Sequence, residues 1–197
     1  MRLIIVRHAQ TIENVKRITM GQNGGHLTEK GFVQMKKTAE ALKDEKINYI
    51  YYSSMKRTKE MMKEIARFHP KSKIKSEKLL WERNFGKLTG TDKGDKIEKS
   101  MGYEKFMKYR PEGGESGLEV RERTIRFYEK ILRKHEKDTV LVVSHAGNII
   151  EMIFYIMNWG SERYEKAKPK NAAITILEID KNRKCRIEKL NSLEHLS

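Results

Sequence analysis

Two runs of consecutive apolar residues, Leu3-Ile4-Ile5-Val6 and Val140-Leu141-Val142-Val143, each lead directly into a polar pair that ends in histidine: Arg7-His8 and Ser144-His145. A short Val/Ile/Leu run bounded by polar residues is the pattern of a strand covered on both faces, which restricts the chain to folds with helices on each side of a sheet. In open parallel sheets, ligands collect beyond the carboxyl ends of the strands, so both histidines fall where such folds keep their sites. A third candidate strand, Ile47 to Tyr52, runs into Ser53-Ser54 and is followed by Arg57, which sets a cation at a comparable level. Two imidazoles and two guanidinia at one end of a sheet suit a bound phosphoryl group.

Between these strands the chain alternates. Thr28 with Glu29 is predicted to open a helix whose Phe32, Met35, Ala39 and Leu42 share one face, and residues 55 to 68 a second helix with Met62, Ile65 and Ala66 inward. A short strand is expected at Lys73 to Ser76. Residues 81 to 115 hold Gly86, Gly90, Gly94, Pro111 and Gly113-Gly114, with a short helix expected around 95 to 108. An excursion of that length in a small protein suggests a functional cap over the strand ends. A helix over 117 to 136 is expected to bury Leu118, Ile125, Tyr128 and Leu132, and a nearly all-apolar helix follows at 148 to 157. Ala172 to Ile179 and Cys185 to Leu190, joined by Asp180-Lys181-Asn182-Arg183, read as a hairpin. The fold class expected is α/β: a doubly wound, mostly parallel sheet with helices on both faces and an antiparallel edge strand.

Composition bounds the remainder. A chain of 197 residues with 38% hydrophobic content can bury one sizeable core, so residues 1–197 are expected to form a single domain. The lone Cys185 leaves no internal disulfide and fits a reducing compartment. Four apolar residues before Arg7 are too few for a signal-peptide core, and no run approaches a membrane span, so a cytoplasmic protein without membrane contact is expected. The net charge of +15 favours anionic ligands, yet it is spread along the chain rather than gathered in a basic tail. That distribution favours a lysine-rich solvated surface over a nucleic-acid face. His69, His135 and His195 lie at lysine-rich helix ends or in the tail and are expected at the surface.

Six motifs recur in order: Val6-Arg7-His8-Ala9-Gln10-Thr11 with Asn14, Leu27-Thr28-Glu29-Lys30-Gly31, Ser53-Ser54 with Arg57-Thr58, Leu80-Trp81-Glu82-Arg83-Asn84-Phe85-Gly86, Gly114-Glu115-Ser116 and Val143-Ser144-His145-Ala146-Gly147. Together they resemble the histidine phosphatase superfamily, which includes the cofactor-dependent phosphoglycerate mutases. The resemblance implies phosphoryl transfer through a phosphohistidine, with no cofactor and no metal for the phosphatases. It assigns nucleophile to His8, proton donor to Glu82, and phosphate contacts to Arg7, Asn14, Arg57 and His145. Gly21, Gln22, Arg83 and Ala146 line up with substrate-contacting positions, and Glu115 and Ser116 fall near the site, where Ser116 would equally cap the helix from 117. Ala9 replaces the family's usual glycine, which matters only if the backbone there needs positive φ. Gln10 replaces a frequent acid.

The residue chemistry supports the same roles. A neutral imidazole is a good nucleophile near neutral pH. Arginine forks match phosphoryl oxygens, and a protonated His145 would add a further donor. The ordinary alternative for Arg57 is a surface cation on its helix. The expected ligand is an anionic small-molecule phosphate ester. Mutases of the family carry an adjacent arginine pair in the cap, where this chain has Lys108-Tyr109-Arg110-Pro111, so hydrolysis is preferred over 2,3-bisphosphoglycerate-dependent phosphoglycerate mutase activity. A non-catalytic phosphate-binding or RNA-binding protein on the same fold is the alternative of a different class. The edge hairpin offers a route to a homodimer.

Overall fold

A computed structural model describes residues 1–197. Six strands, β1 (Arg2–Arg7), β2 (Tyr49–Tyr52), β3 (Lys73–Ser76), β4 (Thr139–Ser144), β5 (Ile174–Ile179) and β6 (Cys185–Ser192), form one sheet in the order β3-β2-β4-β1-β5-β6. The first four are mutually parallel, β5 runs antiparallel to β1, and β6 returns antiparallel to β5 at the edge. The α/β class expected from the strand and helix alternation is the one observed. Because β4 inserts between β2 and β1, the chain reverses its direction of winding at the pair that carries the two histidines.

The apolar runs are continuous because both faces are covered. Leu3, Ile5, Val140 and Val142 point into a core shared with Phe127, Tyr128 and Ile131 of α6 (Gly117–Lys134) and Ile149 to Phe154 of α7 (Ala146–Met157). Ile4, Val6, Leu141 and Val143 point the other way, onto Met35 and Ala39 of α2 (Glu29–Ala41) and Met61, Met62 and Ile65 of α3 (Lys56–Ala66). Period-two alternation between two dry layers removes every polar position from the central strands. The outer strand β3 is exposed throughout and carries Lys73 and Lys75, a charged edge that discourages pairing with another sheet.

Several local expectations change. In α2 the buried stripe is Gly31, Gln34, Met35, Thr38 and Ala39, and Phe32 is exposed. Ala66 is only half-buried, its place in the core taken by Met61. Leu118 is exposed because α6 turns Val120, Thr124, Phe127 and Ile131 inward, leaving Ile125 and Leu132 half-buried. The helix expected around 95 to 108 is two, α4 (Lys93–Met101) and α5 (Tyr103–Lys108), parted by Gly102 at φ +72°. His69 and His135 are buried rather than superficial, and His195 is half-buried. His135 is held between the Tyr51 hydroxyl (2.9 Å) and Asp138 (2.8 Å), so its polar atoms are satisfied inside the protein.

The loop after His8 is pinned to the start of α2. Thr28 caps that helix by accepting from the Gly31 N–H (2.9 Å), its own N–H donates to the Gln10 carbonyl (3.1 Å), and Gln34 Oε1 accepts from the Gln10 N–H (2.9 Å). Gly31 packs so closely that a Cβ there would overlap the Gln10 carbonyl oxygen. Gly31→Ala is therefore expected to destabilise the protein by about 1–3 kcal/mol, the usual cost of forcing bulk into a packed contact, measured as a lowered urea midpoint. A midpoint equal to wild type would show that the loop yields freely.

Candidate active site

In the β1–β4 ladder Arg7 stands opposite Ser144, and the His8 N–H donates to the Ser144 carbonyl (3.1 Å), so the two strands end level. Tyr52 of β2 stands opposite Val143, and the Ser53 N–H donates to the Val143 carbonyl (3.1 Å). Three parallel strands thus deliver His8, His145 and Ser53 side by side. The two imidazole centroids are 5.3 Å apart.

Both histidines are oriented by what their second nitrogen meets. His8 Nδ1 lies 2.8 Å from the Ala9 carbonyl, which can only accept, so Nδ1 carries the proton and Nε2 keeps its lone pair. The His8 carbonyl itself accepts from Ala172 N–H (3.2 Å) and Asn171 Nδ2 (3.2 Å). His145 Nε2 meets the Ser53 hydroxyl at 2.9 Å, while its buried Nδ1 has no hydrogen-bond partner and lies 4.0 Å from Glu82 Oε2. With Ser53 donating, a neutral His145 holds its proton on Nδ1 and serves as a donor without being charged. Burial, joined by Arg57 and Arg7, holds the His8 imidazole well below its ordinary value of 6.5. Burial, then Arg57, His8 and Arg7, does the same to His145.

Arg57 is 1% exposed, far from the surface cation its helix position would ordinarily give. Its guanidinium donates to the carbonyls of Asn23 (2.5 Å), Gly24 (3.1 Å) and Gly21 (2.9 Å), with Nε unpartnered. Gly21 takes φ +52°, the left-handed conformation that aims its carbonyl at Arg57. Arg7 donates from Nη1 to the Pro169 carbonyl (2.7 Å), and its Nε is likewise buried and unpartnered. Burial brings the Arg7 guanidinium down to about 10, and burial also lowers Arg57. Asn14 closes a capping box with Thr11 and accepts from Asn171 Nδ2 (3.0 Å), which leaves its own Nδ2 as a donor.

Glu82 arrives from the 81 to 115 excursion and is fixed from three sides. The Trp81 indole donates to the Ser54 hydroxyl (2.9 Å), the Ser144 hydroxyl donates to the Leu80 carbonyl (3.3 Å), and Gln22 Nε2 donates to the Glu82 carbonyl (3.2 Å). The Glu82 carboxylate accepts from the Arg83 N–H (2.8 Å) and faces Gly147, where an added Cβ would sit 3.2 Å from Oε1. Ala146 opens helix α7 behind it. Arg7, His8, Asn14, Gly21, Arg57 and Glu82 line one cavity of about 250 Å³, so the excursion does stand over the strand ends.

Gln22 and Arg83 donate to main chain. Arg83 donates to the carbonyls of Glu115 (2.9 Å), Phe106 (3.4 Å) and Tyr109 (2.5 Å) and lies against the rings of Phe85 and Phe106, and so ties the excursion together. Glu115 pairs with Arg123 (3.1 Å) and accepts from the Asn84 N–H (2.8 Å), and Ser116 caps α6. Ala9 is buried and does not have positive φ, so alanine fits there without strain. The contact of Ser53 with His145, and the parts played by Pro169 and Asn171, have no sequence signal: a hydroxyl, a carbonyl and an amide placed by loops carry no periodicity.

A family model for the histidine phosphatase superfamily (branch 1) matches residues 3–193. The chain belongs to the histidine phosphatase superfamily. Among superfamily relatives, it is 27% identical to phosphoglycerate mutase-like protein 4 of Arabidopsis thaliana, over 98% of this chain and 86% of that protein. It is 29% identical to phosphoserine phosphatase 1 of Hydrogenobacter thermophilus, over 100% of this chain and 94% of the relative. The solved structure of Bacillus stearothermophilus YhfR, 22% identical, superposes with a TM-score of 0.86 over 100% of this chain and 99% of that one, a likeness of fold. The superfamily relatives thus include mutase-like proteins and phosphatases alike.

The depressed histidines carry a pH consequence. In the unfolded chain they protonate near 6.5, whereas in the folded protein they resist protonation, so the native state loses stability as pH falls below about 6.5. Urea midpoints at pH 7.5 and 5.5 are expected to fall less in His145→Gln than in wild type. Equal losses would mean that His145 contributes nothing to the acid limb.

Proposed function

We propose that the protein is a phosphomonoester hydrolase working through a phosphohistidine on His8. The observation that carries this reading is the concentration of unmet hydrogen bonding. Four buried side-chain nitrogens lack a partner, and three of them belong to Arg7, Arg57 and His145. Leaving a buried donor unmet costs about 1–3 kcal/mol, and charged donors cost more. Unmet donors gathered at strand ends beside a nucleophile are what an arriving phosphoryl group would satisfy.

In this mechanism the phosphoryl oxygens are held by the guanidinia of Arg7 and Arg57, the Asn14 amide and the neutral His145 Nδ1–H. The His8 Nε2 lone pair attacks phosphorus, and the ester P–O bond breaks as Glu82 gives its proton to the departing oxygen. Glu82, now a carboxylate, takes a proton from water. That water attacks phosphorus, the P–N bond breaks, and inorganic phosphate leaves with His8 restored. The protein's own cations neutralise the transferred group, so no metal or organic cofactor enters, and activity is expected to persist in a chelator.

Arg110 favours hydrolysis over the mutase reaction. A mutase must retain a doubly charged ligand while it reorients, which calls for free cations in the cap. Arg110 is instead paired with Glu119 (2.5 Å) and the Gly114 carbonyl (3.1 Å), and each nitrogen of the Arg83 guanidinium donates to a main-chain carbonyl.

His8→Ala is expected to abolish both phosphoenzyme and phosphate release. His145→Ala should slow formation while leaving the phosphoenzyme detectable, and Glu82→Gln should lower turnover of alkyl esters by about 10²–10⁴-fold. Acid-labile phosphoenzyme trapping and phosphate release provide the measurements. Full activity in His8→Ala would sink the mechanism, and interconversion of 2- and 3-phosphoglycerate faster than hydrolysis would establish the mutase. Salt-resistant RNA binding without phosphate release would establish the non-catalytic reading.

A further inference from the structure

Beyond Glu82 lies a second cavity, of about 190 Å³, which shares Glu82, Phe85, Glu98 and Phe106 with the first. Its walls are Phe85 and Phe106, stacked at 6.4 Å between centroids, Tyr103 and Tyr164 at 4.9 Å, and the aliphatic Val120 and Ile150. If Glu82 protonates the departing oxygen, the alcohol attached to that oxygen must lie on the Glu82 side of the phosphoryl group. This cavity, which meets the first at Glu82, Phe85, Glu98 and Phe106, offers apolar space on that side.

Its charges are committed. Of the two cations on its wall, Arg83 donates to three main-chain carbonyls and lies against the rings of Phe85 and Phe106. Lys168 sits 4.9 Å over the Tyr164 ring with Nζ 3.8 Å from Glu98. Besides Glu82, the acids are Glu98, which accepts from the Tyr164 hydroxyl, and the buried Glu151, held by the Tyr103 hydroxyl and Arg121 Nε (2.5 Å). A carboxylate on the leaving group would meet two carboxylates and no free cation, a repulsion that discriminates as effectively as an attraction. An apolar cavity of about 150 Å³ admits benzene, so this one has room for a single ring, and its aromatic walls offer edge and face contacts to it.

We infer that this cavity is a leaving-group subsite for an uncharged, apolar alcohol about one ring in size, so that the protein hydrolyses esters of that class in preference to carboxylated ones. The inference rests on the phosphatase reading above. Serine and glycerate phosphates place a carboxylate in the subsite, whereas benzyl phosphate places a ring there. Benzyl alcohol and serine are both alkanol leaving groups, so the comparison reads binding rather than bond strength.

The test is kcat/KM of the wild-type protein on benzyl phosphate, O-phosphoserine and 3-phosphoglycerate. At least a tenfold preference for benzyl phosphate is expected. Hydrolysis with phosphoserine or phosphoglycerate equal or ahead overturns the inference and leaves the phosphatase reading intact. No phosphate from any ester and no phosphoenzyme overturns both. Val120→Phe, which fills the subsite, should lower the ratio of benzyl phosphate to glycerol phosphate turnover at least fivefold, and an unchanged ratio places the ring elsewhere. Should that variant fail to fold, inhibition of wild type decides the same point: benzyl alcohol should compete with substrate and serine should not, and the reverse order overturns the inference.

Discussion

Everything at the active site depends on the parallel pairing of β1 with β4. The ladder sets Arg7 opposite Ser144 and carries on through one further hydrogen bond, from the His8 N–H to the Ser144 carbonyl, so two imidazoles from positions far apart in the chain emerge in contact. A slip of one residue in that register would turn one histidine to the opposite face. The dry layers on both sides forbid such a slip, since it would exchange the side chains that pack against α6 and α7 for those that pack against α2 and α3. Precision in the site is thus a by-product of core packing, and the bulk of the hydrophobic core holds two ring nitrogens where they are needed.

The second constraint is electrostatic. Two guanidinia and two imidazoles share a buried region with Glu82 as the main opposing charge. The arginines keep their charge by leaning on main-chain carbonyls: Pro169 for Arg7, and Gly21, Asn23 and Gly24 for Arg57. The imidazoles respond by staying neutral, which suits a nucleophile and still lets His145 donate. Positive charge held apart from protonatable groups in this way is available to an anion without first being used to protonate the attacking atom.

Much of this was legible in the sequence. The central strands declared themselves because burial on both faces leaves an unbroken apolar run, and Thr28 announced its helix because a hydroxyl before an acidic first turn has a local job. The six motifs carried the family, and the positions of His8, Arg57, Glu82 and His145 followed from their order along a doubly wound sheet. Side-chain direction on helices was less readable. Phe32 and Leu118 fit an apolar period yet face solvent, because α2 turns Gly31 and Met35 inward and α6 turns Val120 and Phe127 inward. His135 looked superficial among lysines, and the approach of Tyr51 from β2, with Asp138 on the other ring nitrogen, makes its burial tolerable. The anchoring of Arg83 on the carbonyls of Phe106, Tyr109 and Glu115 depends on contacts between segments distant in sequence, which no local pattern encodes.

The grip of Arg57 on the loop from Gly21 to Gly24 has one more consequence. In the proposed mechanism the same guanidinium is ligand contact and the post to which that loop is tethered, so anion affinity and loop order become two readings of a single equilibrium. An anion that fixes the guanidinium also fixes the three carbonyls hanging from it, and any disturbance of the loop is felt as weaker anion binding. A change at Gly24, which need not touch the ligand, would then register in the proposed chemistry as though it had been made at His8.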